Sequence, residues 1–248
     1  MVEQLRYFFI ALTFLTRIKT PLKGDVTQQQ MGYSIIYYPL VGIFIGIVLY
    51  LVSHVILFFS SDFSADVLAA IVLSVWLLIT GGLHLDGLAD SADAWIGGQN
   101  DRQRTLDIMK DPYCGPMGVA LIVLLLLLKW SALSYLLNTQ HSAFLIVLPL
   151  LSRSIIIVLF MSTAYVRDAG LGSALLDYMP DESILWTVLF VSVSLYLIFA
   201  SALSLLMVVV MVFILRQMMI QRLGGMTGDT LGACVEIAEA VALVGLVF

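Results

Sequence analysis

Apolar residues in this chain come in long unbroken runs: Tyr33–Phe59, Val67–Leu85, Met117–Leu137, Ala143–Val166, Ile184–Leu215 and Thr230–Phe248. A bilayer core about 30 Å thick needs roughly 20 apolar residues per helix, so each run predicts a spanning helix. Ile184–Leu215 is too long for one span and is divided near Ser201 into two short or tilted helices, giving about seven spans. The apolar stretch Tyr7–Leu15 is short, and Arg17 and Lys19 follow it where a signal peptide would carry small cleavage-site residues. An N-terminal interfacial helix is expected there instead. The predicted fold class is all-α: a polytopic integral membrane helical bundle, one domain over residues 1–248.

Composition supports that reading. The chain is 61% hydrophobic and 12% charged, with a mean hydropathy of +1.03. Globular domains run at roughly 45–50% apolar and about 25% charged, so a bilayer must cover the excess. With seven spans, Arg6, Arg17, Lys19, Lys23, Arg102, Arg104, Lys110, Arg167, Arg216 and Arg222 all fall on one side of the membrane. The bias of Lys and Arg makes that side the cytoplasm. A single span over Ile184–Leu215 would put Arg216 and Arg222 outside, which favours the division. Net charge is −5, and nothing points to nucleic acid. Cys114 and Cys234 lie far apart without CxxC spacing, which leaves no disulfide framework or zinc site and reads as reduced thiols.

Candidate chemistry is carried by acids. In Gly81-Gly82-Leu83-His84-Leu85-Asp86-Gly87-Leu88-Ala89-Asp90-Ser91-Ala92-Asp93, the carboxylates of Asp86, Asp90 and Asp93 are spaced i, i+4, i+7 and share one helix face. Like charges at that spacing repel, and a bound cation relieves them. Hard oxygen ligands without Cys or several His suit Mg²⁺ or Mn²⁺. A solvated acidic helix start explains one Asp and not three. Gly87, Ala89 and Ala92 would let a substrate or a partner helix come close. A second block, Gly224-Gly225-Met226-Thr227-Gly228-Asp229-Thr230, opens the last helix, where backbone N–H groups can meet phosphate. Asp229 is a catalytic candidate, Gly228 and Thr230 are substrate-binding candidates, and Glu236, on the face of Asp229, is a candidate metal ligand. Acids and bases within spans are costly and are paired or functional. The bland account of Glu236 or Glu239 is a pair with Lys129 or Arg153; Arg153 is also a substrate-binding candidate. In the loop Gly97–Met117, Arg102, Arg104 and Lys110 could grip phosphate beside Asp111. His84 reads equally as a satisfied neutral donor or a base. The catalytic segments are thus 84–116 and 222–232. GxSxG, Walker, HExxH and GxGxxG signatures are absent.

The sequence resembles the cobalamin synthase family, the adenosylcobinamide-GDP ribazoletransferases. The resemblance rests on Phe14-Leu15-Thr16-Arg17-Ile18, on Tyr38-Pro39-Leu40-Val41-Gly42 through Gly46, on Gly82–Asp93, on Met109-Lys110-Asp111 followed by Gly115 and Gly118, and on Gly224–Gly232. It implies transfer of adenosylcobinamide phosphate from adenosylcobinamide-GDP to α-ribazole or its 5′-phosphate, with release of GMP. Such phosphoryl transfer needs positioning and charge neutralisation. The resemblance then implies Mg²⁺ (or Mn²⁺) held by Asp86, Asp90 and Asp93. Asp93 or Asp229 would accept the hydroxyl proton, and Arg17, Arg102, Arg104 or Lys110 would face phosphate. It further implies a bacterial cytoplasmic (inner) membrane location, lipid contact, and a site facing the cytoplasm. A homo-oligomer, or an assembly with other cobalamin-pathway enzymes, stays open. The alternatives are an enzyme like the CDP-alcohol phosphotransferases with a lipid acceptor, and a membrane transporter, for which Lys129, Arg153, Glu236 and Glu239 would speak.

Overall fold

The computed structural model describes residues 2–60, 63–167, 171–181 and 202–248. Among the described residues the regular structure is helical. In chain order the helices are α1 (Val2–Leu15), α2 (Gln28–Ser34), α3 (Tyr38–Phe59), α4 (Ala65–Thr80), α5 (Leu83–Gly97), α6 (Arg102–Ile108), α7 (Pro116–Asn138), α8 (Phe144–Ser162), α9 (Leu171–Asp177), α10 (Ala202–Leu223) and α11 (Gly228–Gly245). Among the described residues four runs are long and apolar enough to cross a membrane: Gln28–Phe59, which joins α2 to α3, and then α7, α8 and α10. The bent pair α4 and α5 raises the number to five. The first part of the expected pair within Ile184–Leu215 lies outside the described residues. Its second part is α10, which runs on to Leu223.

Three boundaries differ from the hydropathy pattern, each for a local reason. The expected span Val67–Leu85 stops at Thr80, because Gly81 and Gly82 both adopt left-handed backbone, with φ of 65° and 69°. Only glycine takes such angles at little cost. The chain then turns by 88° into α5. The expected span Ala143–Val166 ends as helix at Ser162, and residues 164–166 form a strap on a distant loop: Tyr165 and Met226 form a parallel bridge. The final run is α11, a buried helix whose Asp229, Glu236 and Glu239 set it apart from the apolar spans.

Close packing positions these elements. α3 lies on α8 through Gly42 and Gly46: a Cβ at Gly46 would stand 2.5 Å from the Cα of Ile146, and one at Gly42 would overlap the Pro149 carbonyl. This small-xxx-small contact is a usual way for membrane helices to meet, and it gives the Tyr38–Gly46 block an architectural meaning. α8 is enclosed, whereas α7 and α10 expose Leu124, Leu128, Val209 and Phe213 toward the bilayer.

At the centre, α11 carries its glutamates into a buried ion cluster. Lys129 Nζ on α7 donates to Glu236 Oε2 at 2.5 Å and to Glu239 Oε2 at 2.7 Å. Arg153 on α8 pairs with Glu239, and Ser152 Oγ donates to the same carboxylate at 2.7 Å. Lys129 also lies 5.0 Å above the Trp76 ring of α4. Charges in hydrocarbon are tolerated when matched in this way, so the cluster ties α7, α8 and α11 together.

Candidate active site

The site is built where α5 crosses the start of α11. Gly87 makes the crossing close: a Cβ there would stand 2.7 Å from the carbonyl oxygen of Asp229 and 2.9 Å from its Cα. Gly232 repeats the contact from the other helix, since its Cβ would stand 3.2 Å from the backbone of His84. Two glycines therefore press the His84–Gly87 face of α5 against the first turns of α11, and the neighbouring Asp86–Asp90 stripe runs past Asp229 at the edge of that contact. Asp229 belongs to the first of those turns, and Thr227 and Thr230 fix it by a reciprocal capping box. A carboxylate there is favoured by the N-terminal dipole.

The electrostatics record the crowding. Partial burial pushes the Asp90 carboxyl up to about 6, and the negative charges of Asp86, Asp229 and Asp93 add to the push. Burial raises Asp229 as well; Arg167 opposes that, with Nη2 donating to Asp229 Oδ2 at 2.6 Å. Arg167 reaches this position because residues 164–166 zip onto the loop before α11: Met226 N–H donates to Ala164 O at 2.8 Å and Val166 N–H to Met226 O at 3.0 Å.

Asp86, Asp90 and Asp229 are thus brought together, and the other expected residues take separate places. Asp93 accepts from three backbone N–H groups at the start of α7: Gly115 at 2.7 Å, Met117 at 3.1 Å and Gly118 at 3.0 Å. It is an N-terminal cap supplied by another helix, and its oxygens are committed there. Glu236 and Arg153 are not brought to the acids; they sit inside the ion cluster, with Lys129 and Glu239 as their partners. That is the pairing account of these charges, in place of ligation by Glu236 and substrate contact by Arg153. His84 is buried under the crossing, its Nδ1 without a hydrogen-bond partner among the described residues. Arg17 covers the bend: its N–H donates to Ile79 O at 2.7 Å and its side chain lies on Gly81. Arg102 Nε donates to Leu223 O at 2.7 Å and closes the end of α10. Arg104, Lys110 and Asp111 are exposed, and Asp111 Oδ1 accepts from the Tyr113 N–H at 3.0 Å. Gly228 is exposed at the first position of α11, and the Thr230 hydroxyl is spent on the cap.

The donor set suits a hard divalent cation in kind, three carboxylates with no thiol or imidazole among them. Asp90 is raised first by burial and then by the neighbouring carboxylates, and a cation would relieve that second contribution. Among the described residues no three acid, His or Cys side chains already converge closely enough to ligate one ion. An apolar cavity of about 250 Å³ touches Ser91, Trp95 and Met218, on the face of α5 turned away from the acids.

The profile of the cobalamin-5-phosphate synthase family matches residues 7–247. The chain belongs to that family. Among curated relatives of this cobalamin-5-phosphate synthase family, the adenosylcobinamide-GDP ribazoletransferase of Pseudomonas fluorescens (strain Pf0-1) is 47% identical over 241 residues, 96% of this chain and 97% of the relative. The protein of the same name from Pseudomonas aeruginosa (strain PAO1) is 47% identical over 249 residues, 99% of each chain. That of Acinetobacter baumannii (strain ACICU) is 45% identical over 237 residues, 95% of this chain and 94% of the relative. No solved structure matches.

Reading the sequence missed Arg167 and Arg222. Arg222 donates to Trp95 O at 2.7 Å and to Thr105 Oγ1 at 3.0 Å, locking α10 to α5 and α6. Both had served only as markers of membrane side, and their partners lie 62 to 127 residues away.

Proposed function

We propose that this chain transfers the adenosylcobinamide-phosphate group of adenosylcobinamide-GDP to α-ribazole or α-ribazole 5′-phosphate and releases GMP. The observation that carries the reading is the meeting of Asp86, Asp90 and Asp229 with Arg167 at one helix crossing. A ribose hydroxyl oxygen forms a bond to the corrinoid-side phosphorus, the bond from that phosphorus to the oxygen of GMP breaks, and the hydroxyl proton leaves. Little covalent help is needed; the protein must align the groups and spread negative charge.

Asp86 and Asp90 would hold Mg²⁺, or Mn²⁺, with Asp229 completing the set. Such an ion supplies neutralisation of the diphosphate and of the departing GMP. Asp229, at a helix N-terminus beside an arginine, is the proton acceptor we favour over Asp93, whose oxygens already accept from α7. Gly228, exposed at the head of α11, lets phosphate approach the backbone. Arg104 and Lys110 are exposed and within reach of solvent, where they could meet the nucleotide or corrinoid. The chain is placed in a bacterial inner membrane with about seven spans and its acids toward the cytoplasm, in keeping with the distribution of Lys and Arg.

The test is GMP release by purified protein in liposomes, with each substrate and the divalent cation omitted in turn. Release should require all three. Asp86→Asn and Asp90→Asn should each lower turnover at least about 100-fold, since each removes charge neutralisation aimed at the transition state. Near-wild-type turnover in both variants would overturn the reading. Solute flux without GMP release would favour a transporter.

A further inference from the structure

We propose that Arg167 binds the diphosphate of the donor nucleotide, and that its ion pair with Asp229 is a resting contact exchanged for that diphosphate. The proposal rests on the phosphoryl-transfer reading above and adds a residue outside the sequence blocks that carry the resemblance.

The first ground is placement. The strap 164–166 is hydrogen-bonded to Met226, and Gly225 packs so closely on it that a Cβ would overlap the Ala164 carbonyl. Arg167 is therefore carried to the start of α11 by backbone contacts, independent of its own ion pair. The second ground is the state of the guanidinium. Nη2 is engaged with one oxygen of Asp229, while Nε is buried without a hydrogen-bond partner among the described residues. A guanidinium offers five donors in a planar fork that matches phosphate bidentately. Contact through Nη2 with an orphaned Nε is an incomplete use of that fork. The third ground is the charge it faces. Arg167 is in contact with Asp229 and within electrostatic reach of Asp90, so it borders the acidic side of the crossing.

Neighbouring arginines are engaged elsewhere. Arg102 closes α10 at Leu223 O, Arg222 holds Trp95 O and Thr105, and Arg216 donates to Thr163 Oγ1 at 3.1 Å. Arg167 and Asp229 are partly open, at 26% and 20% side-chain exposure, so a ligand can reach the pair. On donor binding, phosphate oxygens would take the guanidinium in place of the Asp229 carboxylate, and the released carboxylate would be free to help hold a divalent cation. The same arginine thus restrains the acid at rest and neutralises donor charge when substrate is present.

The test measures equilibrium binding of adenosylcobinamide-GDP to the full chain in nanodiscs, without α-ribazole so that no turnover occurs, and with EDTA or Mg²⁺. Arg167→Met should raise the Kd for adenosylcobinamide-GDP about 10- to 100-fold, the range for a lost charge-assisted phosphate contact, and leave the Kd for α-ribazole unchanged. Arg167→Lys should recover part of the loss. Asp229→Asn should bind adenosylcobinamide-GDP in EDTA as tightly as wild type or several-fold more tightly, because the competing carboxylate is gone. A purely structural clamp predicts the reverse, with both partners weakening binding together. The proposal is overturned if Arg167→Met, at wild-type melting temperature, binds adenosylcobinamide-GDP normally, or if Asp229→Asn weakens donor binding in EDTA. Should Arg167→Met fail to fold, Arg167→Lys and Asp229→Asn still decide the matter. Undiminished turnover in Asp86→Asn and Asp90→Asn would sink the proposed function; normal donor binding in Arg167→Met with those two variants inactive sinks the exchange alone.

Discussion

Helix α11 carries acids at two heights, and they are treated in opposite ways. At Glu236 and Glu239, two carboxylates meet Lys129 and Arg153 in a buried cluster with charges matched in number. At Asp229, the same helix joins Asp86 and Asp90 in a partly open crossing where Arg167 is the cation in contact. The lower cluster is complete as it stands and binds helices to one another. The upper one carries excess negative charge, and the excess is what a cation and a phosphate chemistry call for. Among membrane-embedded acids, the informative property is therefore the charge left over after pairing.

The comparison can be broken most forcefully at the matched cluster. Glu239→Gln takes away the carboxylate paired with Arg153 and one of the two paired with Lys129. Removing one member of a buried ion pair typically costs about 3–5 kcal/mol, and the expected outcome is a large fall in melting temperature in nanodiscs. An unchanged melting temperature would show that the cluster is not a clamp. Next in size is Gly87→Ala, which forces the α5–α11 crossing apart by its Cβ. A displacement of about 1 Å can cost on the order of 100-fold in rate, so GMP release should drop by about that factor, and wild-type kcat would remove the crossing from the mechanism. Asp93→Asn should be milder. It keeps one oxygen for the N-terminus of α7 and loses the second, at about 1–3 kcal/mol in melting experiments. The Mg²⁺ concentration for half-maximal turnover should stay where it is; a large shift would return Asp93 to the metal set.

The smallest effect is a pH dependence. The Asp90 carboxyl is raised from 3.8 to about 6, so between those values the folded chain holds a proton that the unfolded chain has lost. Stability in EDTA should therefore fall as pH rises from about 4 to about 6, since the native state binds more protons there. Solvent screening keeps the slope shallow. Asp90→Asn should flatten it, and thermal melting across that window is the measurement; an equal slope in wild type and variant would assign the effect elsewhere.

Much of this was legible in the chain. The spacing of Asp86 and Asp90 depends only on helical periodicity, and the role of Gly87 as a close-contact position follows from its missing side chain. Asp229 was visible because glycines and threonines mark a helix start. The pairing of Glu236 with Lys129 was one of two readings, and burial of both decided between them. Other features depend on distant partners. Asp93 carries the right residue type and spacing for a ligand, and its commitment is to N–H groups 22 to 25 residues on. Arg167 looks like a loop residue until the strap pairs with Met226. The bend at Gly81–Gly82 was hidden because Leu83 and Leu85 continue the apolar run past it.

That bend bears on how a water-soluble donor meets an enzyme made of lipid-facing helices. With α4 set along the bilayer normal, the right-angle turn lays α5 flat in the plane of the membrane. In that setting its acidic face would be a shelf at the water's edge, where the bulky, charged corrinoid nucleotide could rest without any of its phosphates entering oil.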